Sequence, residues 1–261
     1  SKGMSPTERA DQLQPLIREI VASVEKAVES DKGFVAAEAD RVFRISVSDY
    51  AESTIMPPLL RRLRSEAPNI TLDLLTPSDV SLEDMEYGNV DMVINRFDSL
   101  PDSFHQKTIW RDHFSCLINS QNPIRNNFNL KTYLEASHVW VSKTGMGIGV
   151  GVEPGDREHL GWVDDALARQ GKTRHIRVFT RHYRSAMQLT ELKDLIITLP
   201  SRAARLMEND PSVLILPPPF DIPEIELKMA WSPLLNRNPA HRWLRRTITE
   251  VTGSAPGPGG G

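Results

Sequence analysis

Residues 42–75, VFRISVSDYAESTIMPPLLRRLRSEAPNITLDLL, decide the fold. Val42, Phe43, Ile45 and Val47 form a short β-rich run, which Ser48-Asp49-Tyr50 breaks. Ser53-Thr54 then open an amphipathic stretch with Ile55, Leu59, Leu60 and Leu63 on one face and Arg61, Arg62 and Arg64 on the other. Pro57 and Pro58 are expected in the opening turn of that helix or just after, where a missing N–H costs least. Past Pro68-Asn69, Ile70, Leu72 and Leu74 alternate with Thr71 and Asp73 as in a half-buried strand. The stretch therefore reads βαβ, with a loop at 48–53 facing the free N–H groups of a helix start. Such a terminus attracts hydrogen-bond acceptors and anions; the plainer reading is a loop that simply caps its helix.

Outward from this unit the same alternation continues. Ser81 to Tyr87 reads as a short helix stopped by Gly88-Asn89, and Val90 to Ile94 as a buried strand. Thr108 to Asn119 reads as one long strand with Trp110, Phe114, Cys116 and Ile118 on one parity. Strands follow at Val139-Trp140-Val141, Ile176-Val178, Leu195 to Leu199, Val213 to Leu216 and Ile225 to Trp231, with helices at Trp162 to Gln170, Ser185 to Leu192, Ala203 to Met207 and after Asn238-Pro239. Repeated strand-helix alternation implies an α/β protein with parallel sheets. There is material for two of them, joined by the long strand at 108–119 and a return at 224–231. A cleft between two such sheets is where a small ligand binds.

Upstream, Ser5-Pro6-Thr7-Glu8 is a helix start. Leu13, Ile17, Ile20, Val24 and Ala27 follow at spacings of 4, 3, 4 and 3, a coiled-coil seam that Leu16, Val21 and Val28 widen. Pro15 is expected to bend this helix. The stretch from Asp31-Lys32-Gly33 to Asp40 reads as a linker, so the seam most plainly pairs with a copy of itself.

The 261 residues are 39% hydrophobic and 25% charged, ordinary for a globular chain, and a formal charge of -3 excludes a generally basic nucleic-acid binder. The single cysteine, Cys116, excludes an internal disulfide and reads as a buried thiol in a reducing compartment. No run approaches a membrane span and no signal peptide is evident, so a cytoplasmic protein is expected. Gly145, Gly147, Gly149 and Gly151 lack the Lys-Ser/Thr of a phosphate loop and read as a mobile loop. The seven histidines have no metal-binding spacing, no Gly-x-Ser-x-Gly elbow occurs, and Asp164-Asp165 reads as helix capping. Neither a catalytic constellation, a metal nor a cofactor is expected.

Several segments resemble the LysR-type transcriptional regulators. Gly3-Met4-Ser5-Pro6-Thr7 is similar to the junction at which that family's winged helix-turn-helix gives way to its linker helix. Ile55-Met56-Pro57-Pro58-Leu59-Leu60, Ala67-Pro68-Asn69-Ile70 and Gly88-Asn89-Val90-Asp91-Met92-Val93-Ile94 resemble the family's effector-domain pattern. Asp194 to Pro200, Leu214 to Pro217 and Pro239 to Arg246 resemble its later landmarks, nearest the NodD/NahR/LeuO-like branch. Met56 stands where Leu is usual, and Arg181 where that branch often has Pro before His182.

The resemblance implies a periplasmic-binding-protein-like (type 2) α/β fold: two Rossmann-like subdomains joined by two crossing strands and preceded by a long linker helix. The expected divisions are 1-4, a remnant of the winged-helix junction; 5-32, the linker and dimerisation helix; 40-115 with 224-252, subdomain I; 116-223, subdomain II; and 253-261, a disordered tail. The DNA-binding domain would precede Ser1. Expected partners are a second copy of the chain (a homodimer, then a homotetramer), promoter DNA through the preceding domain, and a small aromatic or carboxylate effector. The effector is expected between Ser48, Asp49, Tyr50 and Ser53; Asn95, Arg96 and Phe97; Trp110 and His113; Lys143 and Thr144; and His182 and Tyr183. The competing readings are a transporter's solute-binding protein, which shares the fold, and a bilobal enzyme such as a porphobilinogen-deaminase-like transferase.

Overall fold

β1 (Val42–Val47) buries Phe43, Ile45, Ser46 and Val47 and leaves Val42 and Arg44 outside. In the computed structural model, which describes residues 7–28, 34–97, 100–141 and 161–253, it lies inside a five-stranded sheet. The helix after it, α2 (Asp49–Glu66), starts four residues earlier than the Ser53-Thr54 signal suggests. Ser48 is its N-cap: the backbone there is extended, and the side chain accepts the Ala51 N–H. The Ser53 and Thr54 hydroxyls donate to the carbonyls of Asp49 and Tyr50 at 2.8 and 2.6 Å, a helix-interior habit that mimics a cap in sequence. Pro57 and Pro58 consequently lie inside the helix rather than in its opening turn. Each costs about 3 kcal/mol by propensity. Burial of Ile55, Met56, Leu59 and Leu63, at about 1.5–3 kcal/mol per side chain, offsets that cost.

β2 (Thr71–Leu75) and β3 (Met92–Asn95) flank β1, both parallel to it. Between them α3 (Leu82–Glu86) opens with a reciprocal Ser81–Asp84 cap and stops at Gly88, whose φ of 67° suits glycine. The sheet is completed by β4 (His105–Asp112) and β10 (Ile225–Trp231), in the order β2-β1-β3-β10-β4, with β10 antiparallel to both neighbours. The second sheet holds β5 (Phe114–Asn119), β6 (Ser137–Val141), β7 (His175–Thr180), β8 (Leu195–Pro200) and β9 (Val213–Leu216), ordered β7-β6-β8-β5-β9. Its helices are α4 (Leu130–Glu135), α5 (Trp162–Ala168), α6 (Tyr183–Gln188) and α7 (Ser201–Ala204), and α8 (Pro239–Gly253) returns to the first sheet.

The expected single strand over 108–119 is two strands broken at His113, one in each sheet. The break has a cause: Asp112 turns its carboxylate fully inward, and the His113 carbonyl accepts the Ser201 N–H at 2.9 Å. The return runs through the proline-rich stretch 217–224, and β10 lies wholly in the first sheet. One apolar cluster, including Ile45, Leu59, Leu117 and Ile197, runs through both sheets.

α1 (Glu8–Val28) contains Pro15 and leaves Leu16, Ile17, Ile20, Val21 and Val24 between 48% and 62% exposed. Leu13 is half-buried, and the Ala27 side chain lies outside the described residues.

Two histidines are buried in structural roles. His138 Nε2 donates to the Tyr133 carbonyl at 2.6 Å, and His241 Nε2 donates to the Asp91 carbonyl at 2.6 Å while its Nδ1 accepts from Arg245 at 2.7 Å. Burial, then the neighbouring arginine, pushes His138 down to about 3 and His241 down to about 4. Both are therefore neutral in the folded chain and take up a proton only on unfolding. The stability this neutrality supports is whole above the ordinary histidine value and drains as pH falls below it. The expected slope is roughly 1.4 kcal/mol per pH unit for each histidine between about pH 6.5 and 4.5. Urea unfolding at pH 7.5, 6 and 5 measures it, and His138→Gln should roughly halve the slope.

Candidate functional site

The parallel strands β1 and β3 end on the side of the first sheet that meets the second. Open α/β sheets hold their ligands beyond such strand ends. Ser48-Asp49-Tyr50 follows β1 directly, and Arg96-Phe97 follows β3. Facing them are Trp162 at the start of α5, Tyr183 at the start of α6, and Ser201-Arg202 just past β8.

Tyr50 is the centre of what these segments build. Its hydroxyl donates to Asp112 Oδ2 at 2.6 Å and accepts from Trp110 Nε1 at 3.0 Å. Its ring stands edge-on to that of Trp110 at 6.3 Å and lies 5.9 Å from that of Tyr183. Burial, then the Asp112 charge, holds the Tyr50 phenol well above its ordinary value. Asp112 is 0% exposed and also accepts the Arg202 N–H at 3.0 Å. Burial raises its carboxyl above the usual carboxylate range, while the Tyr50 hydroxyl and Arg202 pull it back. The Arg202 guanidinium covers the Trp110 ring at 4.3 Å.

A second group sits beside the first. The Arg96 guanidinium lies 4.8 Å over the Trp162 ring, and Phe114 is 5.9 Å from that ring. Trp162 is the one non-glycine with positive φ among the described residues, the kind of backbone that clusters at functional positions. The Asp49 carboxylate accepts the Tyr183 N–H, joining α2 to α6 across the cleft. Burial and the Asp49 charge raise the Tyr183 phenol. Phe114, Trp140, Trp162, Tyr183 and Thr198 line a cavity of about 10 Å³, room for roughly one water.

Of the residues singled out in the sequence, Asp49, Tyr50, Arg96, Trp110 and Tyr183 are brought together. Ser48 caps α2, and the Ser53 hydroxyl is engaged by its own helix. Asn95 is buried, with Oδ1 accepting the Arg96 N–H at 2.9 Å. Phe97 packs in a separate cluster with Val80 and Met85. His113 is exposed and pairs with Glu224 at 3.3 Å, and the His182 side chain is also exposed. Lys143, Thr144 and the glycine loop at 145–151 lie outside the described residues.

Asp112, Arg202, Phe114 and Trp162 pack into the same cluster without having been proposed for the site. Asp112 left a signal: it shares the parity of Trp110, Phe114, Cys116 and Ile118, so an acid sat on the apolar side of a strand. Arg202 and Trp162 left none, because each reads as an ordinary helix-start residue. Among the described residues no group of three or more His, Cys, Asp or Glu could hold a metal. Cys116 is fully buried against Thr198 Oγ1 at 3.4 Å, and burial pushes its thiol up to about 12, which removes it as a nucleophile.

The pattern of the LysR substrate binding domain matches residues 36–253. The HTH-type transcriptional activator NagR of a Ralstonia species is 29% identical over 98% of this chain and 81% of its own length. The activator NahR of Pseudomonas putida is 26% identical over 96% and 80%. Among solved structures, the regulatory domain of MexT, a transcriptional activator in Pseudomonas aeruginosa, superposes with a TM-score of 0.67 at 30% identity, covering 81% of this chain and 100% of that one. A probable transcriptional regulator of the same organism gives 0.73 at 25%, covering 95% and 80%.

The Tyr50 hydroxyl joins a buried acid to a buried indole, so its removal strands the Trp110 N–H and leaves Asp112 Oδ2 with the Arg202 N–H alone. Tyr50→Phe is expected to cost about 1–3 kcal/mol, the penalty for a buried group left unsatisfied. Urea unfolding at pH 7 reads the loss directly.

Proposed function

Since the chain belongs to the LysR-type transcriptional regulators, whose substrate binding domain occupies residues 36–253, we propose that the aromatic cluster between its two sheets is where the effector binds. The chain carries the effector-binding region of such a regulator, and the family is one of transcription factors rather than enzymes. One observation carries the reading: rings from both lobes, Tyr50 and Trp110 from one and Phe114, Trp162 and Tyr183 from the other, converge with Arg96 and Arg202 stacked on two of them. Aromatic walls bury a flat organic molecule, and a few fixed polar groups orient it. The effector is thus a small aromatic compound, bound better in one closure state of the two lobes than in the other.

The uncovered seam of α1 supports pairing with a second copy, as a homodimer that assembles further into a homotetramer. A winged helix-turn-helix ahead of Ser1 would place that dimer on promoter DNA, in the cytoplasm. No helix among the described residues is long and apolar enough to cross a membrane. A transporter's solute-binding protein shares the bilobal fold, but a long helix with an uncovered apolar seam has no use in one.

Calorimetric titration against a panel of small neutral and acidic aromatic compounds tests the pocket. For a compound that binds, Trp162→Ala and Arg96→Ala should each weaken affinity by roughly tenfold or more, about 1.4 kcal/mol. A bound compound indifferent to both substitutions places the pocket elsewhere.

The seam has its own test. Each Ile or Val fully buried there contributes about 1.5–3 kcal/mol. Ile17→Asp with Val24→Asp should therefore lower the assembly mass seen by light scattering, and an unchanged mass moves the interface off α1.

A further inference from the structure

Asp49 does something its own helix does not require. Ser48 already caps α2 through the Ala51 N–H, so the next carboxylate is not needed at that turn. It crosses instead to the other lobe and accepts the Tyr183 N–H at the start of α6. The Tyr50 and Tyr183 rings pack beside this bond at 5.9 Å, and the Arg96–Trp162 stack at 4.8 Å forms a second bridge between the lobes.

We propose that Asp49 is a bar built into the chain, which ties the two lobes together through the Tyr183 N–H and whose release lets them separate. This rests on the reading of the cleft as the effector site and adds its control: an effector held between the lobes shifts their separation with or against this internal contact. The Arg96–Trp162 stack closes with the bar and opens with it, because both span the same two lobes.

Hydrogen exchange of the ligand-free chain, read by mass spectrometry, tests this without an effector. In Asp49→Ala the peptide containing Tyr183 should exchange at least tenfold faster. The segments 94–97 and 161–163, which carry the second bridge, should accelerate with it. β1 serves as the control and should keep its wild-type protection, showing that the variant is folded. Asp49→Asn keeps an oxygen for the Tyr183 N–H and should regain most of the protection. Acceleration confined to Tyr183, or none at all, reduces the bond to a local contact and overturns the proposal. Protection in Asp49→Asn no better than in Asp49→Ala assigns the effect to lost charge, and overturns it too. Since no effector is present, failure here leaves the pocket reading standing, and titration alone decides that one.

Discussion

A carboxylate with 0% exposure is the constraint around which the two sheets are set. Asp112 lies at the junction where the chain leaves the first sheet for the second. Burying an acid costs several kcal/mol unless hydrogen bonds replace its water. Here they come from distant pieces of chain: the Tyr50 hydroxyl at the start of α2, and the Arg202 N–H just past β8 in the other lobe. Neither partner can shift without leaving the acid worse solvated. The strand break at His113, the seat of Tyr50 and the docking of α7 are thus one arrangement, and Trp110 is held between Tyr50 and Arg202 as a consequence.

That hub explains what the sequence made legible and what it hid. Hydrophobic periodicity located the first βαβ unit because alternate burial and a helical apolar face are local properties. It misplaced the helix start because Ser53 and Thr54, bonded back to Asp49 and Tyr50, carry the residue types of a cap. It fused β4 with β5 because parity continues unbroken from Trp110 to Ile118, and only the bonding of Asp112 to remote segments interrupts the ladder. Asp49 and Tyr50 were legible as members of this cluster from their place after a strand. Trp162 and Arg202 were not, since what gives them a role is the opposite lobe, and no local pattern reports a contact made across two sheets.

The second lobe shows the same economy with polar groups at a different place. Arg174 is bidentate to Asp164 at 2.9 and 2.7 Å, and its side chain is only 2% exposed. Tyr133 and Thr198 complete the group, with their hydroxyls 2.8 Å apart. Burial makes such a pair costly to break rather than stabilising in itself. Its effect is positional: it pins the first turn of α5 to the sheet, and that turn begins with Trp162. The ring under Arg96 is therefore anchored from its own side by a network that has no part in the cleft.

The bridges across the cleft are weak by comparison, and that weakness suits a sensor. A single hydrogen bond contributes about 0.5–1.5 kcal/mol net. A cation over an aromatic face adds about 0.5–2 kcal/mol, depending on how dry the site is. Together they favour closure by roughly 1–3.5 kcal/mol, or about fivefold to a few hundredfold in population. An effector can overturn a bias of that size with a differential affinity of two or three orders of magnitude, which a buried aromatic ring supplies. The Arg202 N–H bond to the fully buried Asp112 also joins the lobes, and it is the one a small molecule would find costly to break. The strong constraint lies at the junction of the strands, and the breakable contacts lie between α2 and α6 and between Arg96 and Trp162.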